Sequence, residues 1–173
     1  LIILGLFILL AVFAPLIAPY GATENGFERS QDASPEHWLG TTAAGEDVLS
    51  QLLWGSQVSI LVGLVAGALS TVIAVLIGLS WGYLRGFGSE VVNFVVNLFL
   101  VIPGLPLMIV LAAYLSGGGI PMIIAVVVIT GWAWGARVLR SQTQSLRGND
   151  FVTSAQFSGD SRARIVFREI LPN

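Results

Sequence analysis

The chain contains no cysteine and no lysine, and it has a single histidine. Without cysteine, disulfides, thiolate metal sites and thiol nucleophiles are excluded. Without lysine, the glycine-rich phosphate-binding loop that ends in a lysine is excluded as well. His37 has no second ligand at metal-binding spacing, so we interpret it as a loop residue. We therefore expect no cofactor, no metal site and no catalytic residue of these kinds in this chain.

Charge is also scarce. Charged residues make up 10% of the 173 and apolar residues 55%, with a mean hydropathy of +0.84. An average soluble domain has roughly 25% charged residues. The composition predicts an integral membrane protein of the all-α class. Because the chain opens inside an apolar run and stops at Asn173 without a further span, we expect it to be a piece of a longer protein.

Four apolar stretches are long enough to cross a bilayer. Residues 1–19 carry no charge and would measure about 28 Å as a helix, which spans the hydrocarbon core. A cleaved signal peptide is the alternative, but no basic region precedes the stretch, and Pro15 and Pro19 stand where a cleavage site needs small residues. We predict a truncated first transmembrane helix at 1–19 and further transmembrane helices at 58–84, 91–115 and 120–139.

The basic residues indicate sidedness. All eight are arginines, and seven follow the second or the fourth span: Arg85, Arg137, Arg140, Arg147, Arg162, Arg164 and Arg168. The positive-inside rule places those segments in the cytoplasm. Residues 20–57 carry six acidic residues and one arginine, so we expect an external loop there. The same reasoning predicts a cytoplasmic turn at 85–90, an external turn at 116–119 and a cytoplasmic segment at 140–173.

Within the external loop, residues 47–55 place apolar side chains on one stripe that ends at Trp54. This pattern predicts a short interfacial helix that leads into the second span. Small residues then recur at helical spacing in spans two and four, at Gly63, Gly67, Thr71, Gly78, Gly82, Gly131 and Gly135. Such residues let helix backbones approach closely in lipid, so we expect a tightly packed bundle.

The third span carries two amides and a proline break. Asn93 and Asn97 lie one turn apart, and Pro103 and Pro106 interrupt the hydrogen-bond ladder beyond them. An amide in hydrocarbon needs a partner, so this face should contact protein or a polar path. Helix packing and lining of a transport pathway both fit, and the proline break fits either a hinge or a static kink.

The residues after the fourth span predict two short helices joined by a glycine, which we call the elbow (residues 150–173). Asn149 or Asp150 can cap a first helix that begins at Phe151, and Gly159 can end it in a left-handed conformation. Phe151, Val152 and Ala155 share one side of this helix. The elbow could be an interfacial helix lying on lipid or a docking element for a soluble partner.

The second short helix has Asp160 or Ser161 as its candidate cap. Its apolar stripe consists of Ala163, Val166, Phe167, Ile170 and Leu171. These positions follow the helical repeat, so we expect them to share one face.

Two stretches carry a resemblance to a known family. EHWLGTTAAGEDVLSQLLWGSQVSI (36–60) is similar to the external segment of permease subunits of binding-protein-dependent ABC importers, and the elbow resembles their cytoplasmic EAA loop. The resemblance is to the C-type subunit of the dipeptide/oligopeptide/nickel group. Together with the order of the spans, it covers essentially the whole chain.

The resemblance implies a polytopic transmembrane helical bundle like that of type I ABC importer permeases, with about four of six spans present here. It implies alternating access driven by separate ATPase subunits, so that the chain itself is not an enzyme. The substrates would be dipeptides, oligopeptides or a related small solute, with a nickel importer permease as the alternative within the family. The EAA loop of the family forms a coupling helix that docks on the ATPase, which implies docking residues at Asp150, Phe151, Val152, Thr153, Ser154, Ala155 and Gly159.

The implied partners are cytoplasmic ABC ATPase subunits, a second permease subunit, an extracytoplasmic substrate-binding protein and the lipid bilayer, with no nucleic acid. The implied location is the inner membrane of a bacterial or archaeal cell. This chain departs from the family pattern at Thr153 and Ser154, at Glu169, and in the external segment at Thr42 and Glu46. Ionic contacts of relatives are therefore not carried over to those positions.

Two other classes of protein compete with this interpretation. An ion-coupled secondary transporter would need an ionisable group in the middle of the membrane, and none is visible in these spans. A structural membrane anchor for a soluble enzyme is the second rival. Copurification of a nucleotide-binding subunit separates the three.

Overall fold

The computed structural model describes residues 2–114 and 119–173, and the regular elements in these ranges are helices. They are α1 (Ile2–Ile17), α2 (Val48–Tyr83), α3 (Phe87–Val101), α4 (Gly104–Tyr114), α5 (Gly119–Leu146), α6 (Asp150–Phe157) and α7 (Arg162–Arg164), which continues into a π-helical segment, Ile165–Ile170. The chain divides after Leu64 into two compact units. The expected external turn at 116–119 lies outside the described residues except for Gly119.

The first unit contains α1, the loop that follows it and the first part of α2. α1 buries Ala11 and Ala14 and exposes most of its large apolar side chains, as expected for a helix in contact with lipid. Two isolated β-bridges order the loop, Asn25 with Glu46 and Thr41 with Asp47. The loop is therefore a folded segment that leads directly into α2.

The short helix predicted at 47–55 is not a separate element, and its interfacial position stays a prediction. Residues 48–83 form one continuous helix of 36 residues. No proline interrupts this stretch, so residues 48–55 form the first turns of the same helix. At 1.5 Å per residue the helix measures about 54 Å, well beyond the roughly 30 Å of a hydrocarbon core. α2 therefore extends past the membrane at one end or both.

In the second unit, α2 and α5 pack closely and run parallel, because their contacts advance in the same direction along both helices. A Cβ built on Gly135 would lie 3.0 Å from the Cβ of Ala74, and one on Gly78 would lie 2.7 Å from the carbonyl oxygen of Ala136. Gly82 packs against α5 one turn later. The predicted use of small residues for helix contact is confirmed at these glycines.

Other glycines of the predicted set are less crowded. A Cβ on Gly131 would meet the hydroxyl of Ser70 at 3.5 Å, which is an ordinary contact, and one on Gly63 or Gly67 would meet nothing within 4 Å. Close approach is thus confined to the C-terminal half of α2.

The core of the second unit lies between α2, α3 and α5. Trp81 is fully buried and donates from its ring nitrogen to the carbonyl oxygen of Ser89 at 2.9 Å. Trp132 meets Phe99 edge to face, with ring centroids 5.1 Å apart. The buried members are Ala74, Trp81, Val96, Trp132, Ala133 and Ala136. Alanines between the helices leave room for the two large indole rings.

The third span is not the single helix predicted at 91–115. The axes of Phe87–Val101 and Gly104–Leu111 differ by 82°. Pro103 keeps Ile102 extended, with ψ at 123°, because a residue before proline avoids the helical conformation. Pro106 falls in the first turn of α4, where its missing N–H has no helical partner to lose. At about 22 Å and 16 Å, neither α3 nor α4 alone crosses a 30 Å core.

The parallel packing of α2 and α5 decides how α3 and α4 must run. Nη1 of Arg147, just after α5, lies 3.4 Å from the carbonyl oxygen of Tyr83 at the end of α2. The turn after α2 and the segment after α5, which both carry arginines, therefore lie at the same end of this helix pair. The positive-inside rule predicts the same arrangement. α5 starts at the end of the helix pair that is opposite to the end of α2. The chain must therefore cross from one end to the other between these helices, and α3 and α4 together make this crossing as one broken span. With α2 and α5, which are long and apolar enough to cross a membrane, this makes a third span in the described residues.

Candidate functional site

The elbow is mounted on the shared end of α2 and α5. Val152 of α6 is fully buried, and Phe151 and Ala155 beside it are partly buried. They pack in one apolar cluster with Leu79 of α2 and Leu146 of α5. Outside the apolar cluster, Gln156 Nε2 donates to the hydroxyl oxygen of Tyr83 at 3.1 Å. The apolar side of α6 thus packs against both α2 and α5 and holds the elbow on these two helices.

Gly159 ends α6 as predicted. Its φ is +82°, in the left-handed region that favours glycine. The N–H of Gly159 donates to the carbonyl of Gln156, and that of Asp160 donates to the carbonyl of Ala155, each at 3.1 Å. These two bonds make a Schellman motif, which satisfies the last carbonyls of the helix and turns the chain.

The start of α6 is only partly as predicted. Asn149 occupies the cap position with an extended backbone, but its side chain makes no capping hydrogen bond. The helix begins at Asp150 rather than Phe151. Asp150 therefore lies in the first turn, where its negative charge is favourable beside the helix N-terminus.

The second helix of the elbow differs from the predicted stripe. Ser161 caps it as predicted, accepting the N–H of Arg164 at 3.3 Å. The segment then becomes π-helical, with Leu171 N–H donating to Val166. Because π-helical hydrogen bonds span five residues and widen the turn, Ile165 and Ile170 come to the same side and are buried with Val166. Ala163, Phe167 and Leu171, predicted to share one face with Val166 and Ile170, are exposed while those two residues are buried.

The implied docking residues separate into two sets. Phe151, Val152 and Ala155 point to the chain's own apolar cluster and are not an open docking face. Asp150, Ser154 and Gly159 are exposed, and Thr153 is half-buried. Phe157, which sequence reasoning missed, is 89% exposed. Phe157 follows Val152 by five residues, which places the two side chains on different sides of an α-helix. This spacing could have predicted that Phe157 is exposed.

Asn93 and Asn97 of α3 face two arginines of α5. Arg137 donates from Nη2 to Oδ1 of Asn97, and Arg140 donates from Nη1 to Oδ1 of Asn93 at 3.5 Å. Asn97 also donates to Oδ1 of Asn93 at 3.2 Å. Cζ of Arg140 lies 3.9 Å from the centre of the Trp81 ring, within cation–π range. These amides contact protein, while lining of a pathway and hinge motion at Pro103 stay predictions.

In the first unit, His37 and Asp47 form a buried pair that the sequence did not predict. His37 Nδ1 lies 2.9 Å from Oδ1 of Asp47, with side chains 6% and 1% exposed. The rings of Tyr20 and Phe27 pack on the imidazole, with centroids 5.3 Å and 4.6 Å away. Oδ2 of Asp47 accepts the N–H of Ser50 at 2.7 Å and so caps α2. His37 therefore ties the loop between α1 and α2 to the start of α2.

The environment of Asp47 shifts its acidity. Burial raises the pKa of this carboxyl, but the hydrogen bonds from the Ser50 backbone and from His37 favour the carboxylate more strongly. The pKa of Asp47 therefore lies below its ordinary value.

Comparison with known proteins places the chain in a family. A family model described as binding-protein-dependent transport system inner membrane component matches residues 74–173, which is more than half of the chain. The chain belongs to this family. A second model, the N-terminal TM domain of oligopeptide transport permease C, matches residues 1–35. The resemblance predicted from the external segment and the elbow is confirmed, and the chain is part of a multi-pass helical protein of the bacterial inner membrane.

Curated relatives of the family are similar over the full chain. The oligopeptide transport system permease protein OppC of Bacillus subtilis is 34% identical, over 100% of this chain and 57% of its own length. The dipeptide transport system permease protein DppC of the same organism is 32% identical, over 98% and 54%. The glutathione transport system permease protein GsiD of Pectobacterium atrosepticum is 31% identical, over 97% and 58%. The chain thus spans little more than half the length of these relatives.

Proposed function

We propose that the chain is part of the permease subunit of an ATP-driven ABC importer, which carries dipeptides, oligopeptides or related small peptides across the inner membrane by alternating access. A separate ATPase hydrolyses ATP, a second permease subunit completes the path, and an extracytoplasmic binding protein delivers the substrate. Family membership supports this function, and the oligopeptide, dipeptide and glutathione permeases among its relatives support a peptide substrate over nickel.

The observation that carries the coupling role is the way α6 is mounted. Its buried side packs on Leu79 of α2 and belongs to the same apolar cluster as Leu146 of α5. Interiors of this kind are close-packed and transmit displacement rather than absorb it. A push on the outer side of α6 would therefore move the adjoining ends of α2 and α5 together.

The outer side of α6 supplies the docking surface for the ATPase. It presents Asp150, Ser154 and Phe157, all exposed. An exposed phenylalanine on a rigid, short helix is the kind of side chain that anchors an interface when it enters a pocket. Phe157 is therefore the central contact, and the small side chain of Ser154 allows close approach beside it.

Replacement of Phe157 tests this function. Phe157→Ser in the full-length permease should weaken ATPase copurification by at least about 30-fold, the loss expected for an interface anchor worth about 2 kcal/mol. Substrate-stimulated ATP hydrolysis in proteoliposomes should fall with it. Phe87→Ser is the matched control, because Phe87 is similarly exposed, at 85%, but lies on α3. Wild-type association and hydrolysis in Phe157→Ser would reject the docking role.

A further inference from the structure

A cationic cavity lies where the end of α2 meets the elbow. It measures about 260 Å³ and is lined by Tyr83, Arg85, Arg147, Gln156 and Arg162. Three of the five lining side chains are arginines and none is acidic. A guanidinium keeps its charge at every physiological pH, so three of them around one concavity concentrate anions there.

The internal contacts of these residues leave donors free. Arg147 is used within the fold, since its Nη1 lies 3.5 Å and 3.4 Å from the carbonyl oxygens of Gly82 and Tyr83 at the end of α2. In the part of the chain that the structure describes, the side chains of Arg85 and Arg162 have no hydrogen-bond or ion-pair partner. The Tyr83 hydroxyl oxygen accepts from Gln156, so its hydrogen stays available to another acceptor.

Acidic side chains nearby do not neutralise this cavity. Asp160, two residues before Arg162, is already paired with Arg164 at 2.8 Å. Asp150 is exposed in the first turn of α6 and is not among the lining residues. The positive charge of Arg85 and Arg162 is therefore unmatched among the described residues.

We propose that this cavity binds a phosphate group. Guanidinium forks match the oxygens of phosphate with paired, charge-assisted hydrogen bonds. The three arginines come from the turn after α2, the end of α5 and the start of α7, so they approach one anion from different directions, which suits a tetrahedral group. The volume is just below the roughly 300–1,000 Å³ of pockets that enclose drug-sized ligands, which fits a headgroup-sized anion.

Two sources can supply this phosphate: the headgroup of an anionic phospholipid, or a free phosphate-bearing solute. Leu84 and Phe167, 37% and 44% exposed, line an adjoining concavity that shares Tyr83 and Arg162 with this cavity, and they offer apolar surface beside it. Basic pockets at the cytoplasmic ends of membrane helices are suited to anionic headgroups. These neighbours favour the lipid. Phosphate binding at this place does not depend on the proposed transport role.

The full-length permease in its transporter complex tests the site in two arms. In the first, complexes from nanodiscs of phosphatidylcholine with phosphatidylglycerol are delipidated stepwise, and retained phosphatidylglycerol is counted by native mass spectrometry. In the second, complexes in phosphatidylcholine nanodiscs are titrated with inorganic pyrophosphate, and binding is followed by thermal shift. The test variant is Arg85→Gln with Arg162→Gln. Arg168→Gln is the control, because it removes one arginine charge from an exposed elbow position outside the cavity, and losses are compared per arginine removed.

We expect the wild type and Arg168→Gln to retain phosphatidylglycerol, and the double variant to bind it at least about fivefold more weakly per arginine removed. A pyrophosphate response that Arg168→Gln keeps and the double variant loses, without lipid retention, would support the site with a free solute as its source. A wild type that neither retains phosphatidylglycerol nor responds to pyrophosphate overturns the proposal whatever the variants do. An equal loss per arginine removed in Arg168→Gln and in the double variant overturns it too, since only general surface charge would then be involved.

Discussion

Gly82 of α2 lies directly against Thr143 of α5. A Cβ built on Gly82 would lie 2.5 Å from the Cβ of Thr143 and 2.9 Å from the carbonyl oxygen of Arg140. Thr143 is fully buried, and its hydroxyl donates to the carbonyl oxygen of Leu139 at 2.8 Å. The two spans are therefore in near-backbone contact at the end that carries the elbow.

Enlarging Gly82 should separate these spans. We expect Gly82→Ala to destabilise the purified permease by roughly 1–3 kcal/mol, because a backbone carbonyl and a buried threonine have little freedom to move aside. Gly131→Ala is the control at the same interface, since its added methyl group would meet only Ser70 Oγ at 3.5 Å. Thermal unfolding in detergent measures both variants, and equal melting temperatures would contradict the close packing.

The distribution of arginines leads to a prediction on topology. We expect the loop between α1 and α2 to face outward and residues 140–173, which begin in the last turns of α5, to face the cytoplasm. The chain has no cysteine, so Ser30→Cys and Ser145→Cys each introduce one label site at an exposed position. A membrane-impermeant thiol reagent on intact cells should label the first variant only. Labelling of the second variant alone would reverse the assignment.

The capping role of Asp47 predicts a local loss of order when it is removed. Asp47→Ala deletes the cap of α2, typically worth about 1 kcal/mol, and leaves the buried His37 without its partner. Hydrogen exchange of residues 20–50 should rise by about tenfold or more, while Asp32→Ala, at an exposed position, should leave it unchanged. Unchanged exchange in Asp47→Ala would show that the pair does not hold the loop.

The lowered pKa of Asp47 gives this loop a pH dependence. The ionised form of Asp47 favours the folded loop. This stabilisation is fully present above the ordinary carboxyl pKa of about 3.9. It is lost as the pH falls below that value and through the lower pKa that Asp47 has in the folded loop. We therefore expect the Asp47 contribution to be constant near neutral pH and to decline below about pH 4. Asp47→Asn should lack this acid-dependent step, and an identical acid profile in both proteins would contradict the assignment.

Features that depend on neighbours within one turn could be predicted from the sequence. The helix end at Gly159 depends only on the ability of that glycine to adopt a left-handed conformation. The cap at Ser161 depends only on a hydrogen bond to the N–H three residues later. The break at Pro103 was also predictable, because proline acts on its own backbone. The 82° bend there was not, because α3 and α4 each contact α5 and the angle depends on that packing.

Contacts between distant residues could not be predicted in the same way. Asn97 and Arg137 are 40 residues apart, and no local pattern pairs an amide on one span with a cation on another. His37 and Asp47 meet across an irregular loop that has no periodicity to read. The π-helical turn also escaped, because the stripe through Phe167 assumes the 3.6-residue repeat that the segment abandons.

The two faces of α6 lead to a last prediction, based on adjacent residues. Ala155 is partly buried against the cluster formed by Val152 and Ile165, whereas Ser154 is exposed. Ala155→Asp would place a carboxylate in an apolar cluster without a partner, so the elbow itself should lose its packing. Ser154→Asp adds the same charge at the surface and should leave the elbow folded.

Two measurements on the full-length permease separate these effects. Limited proteolysis at residues 150–170 reports the folding of the elbow, and copurification reports binding of the ATPase. Ala155→Asp should increase cleavage and reduce ATPase binding together, because a disordered elbow cannot present its outer side. Ser154→Asp should keep wild-type resistance to cleavage and still reduce ATPase binding, because the added carboxylate must be desolvated in the proposed interface. If Ser154→Asp binds the ATPase as the wild type does, the docking surface does not lie on this side of α6, and an elbow that packs on lipid becomes the better interpretation.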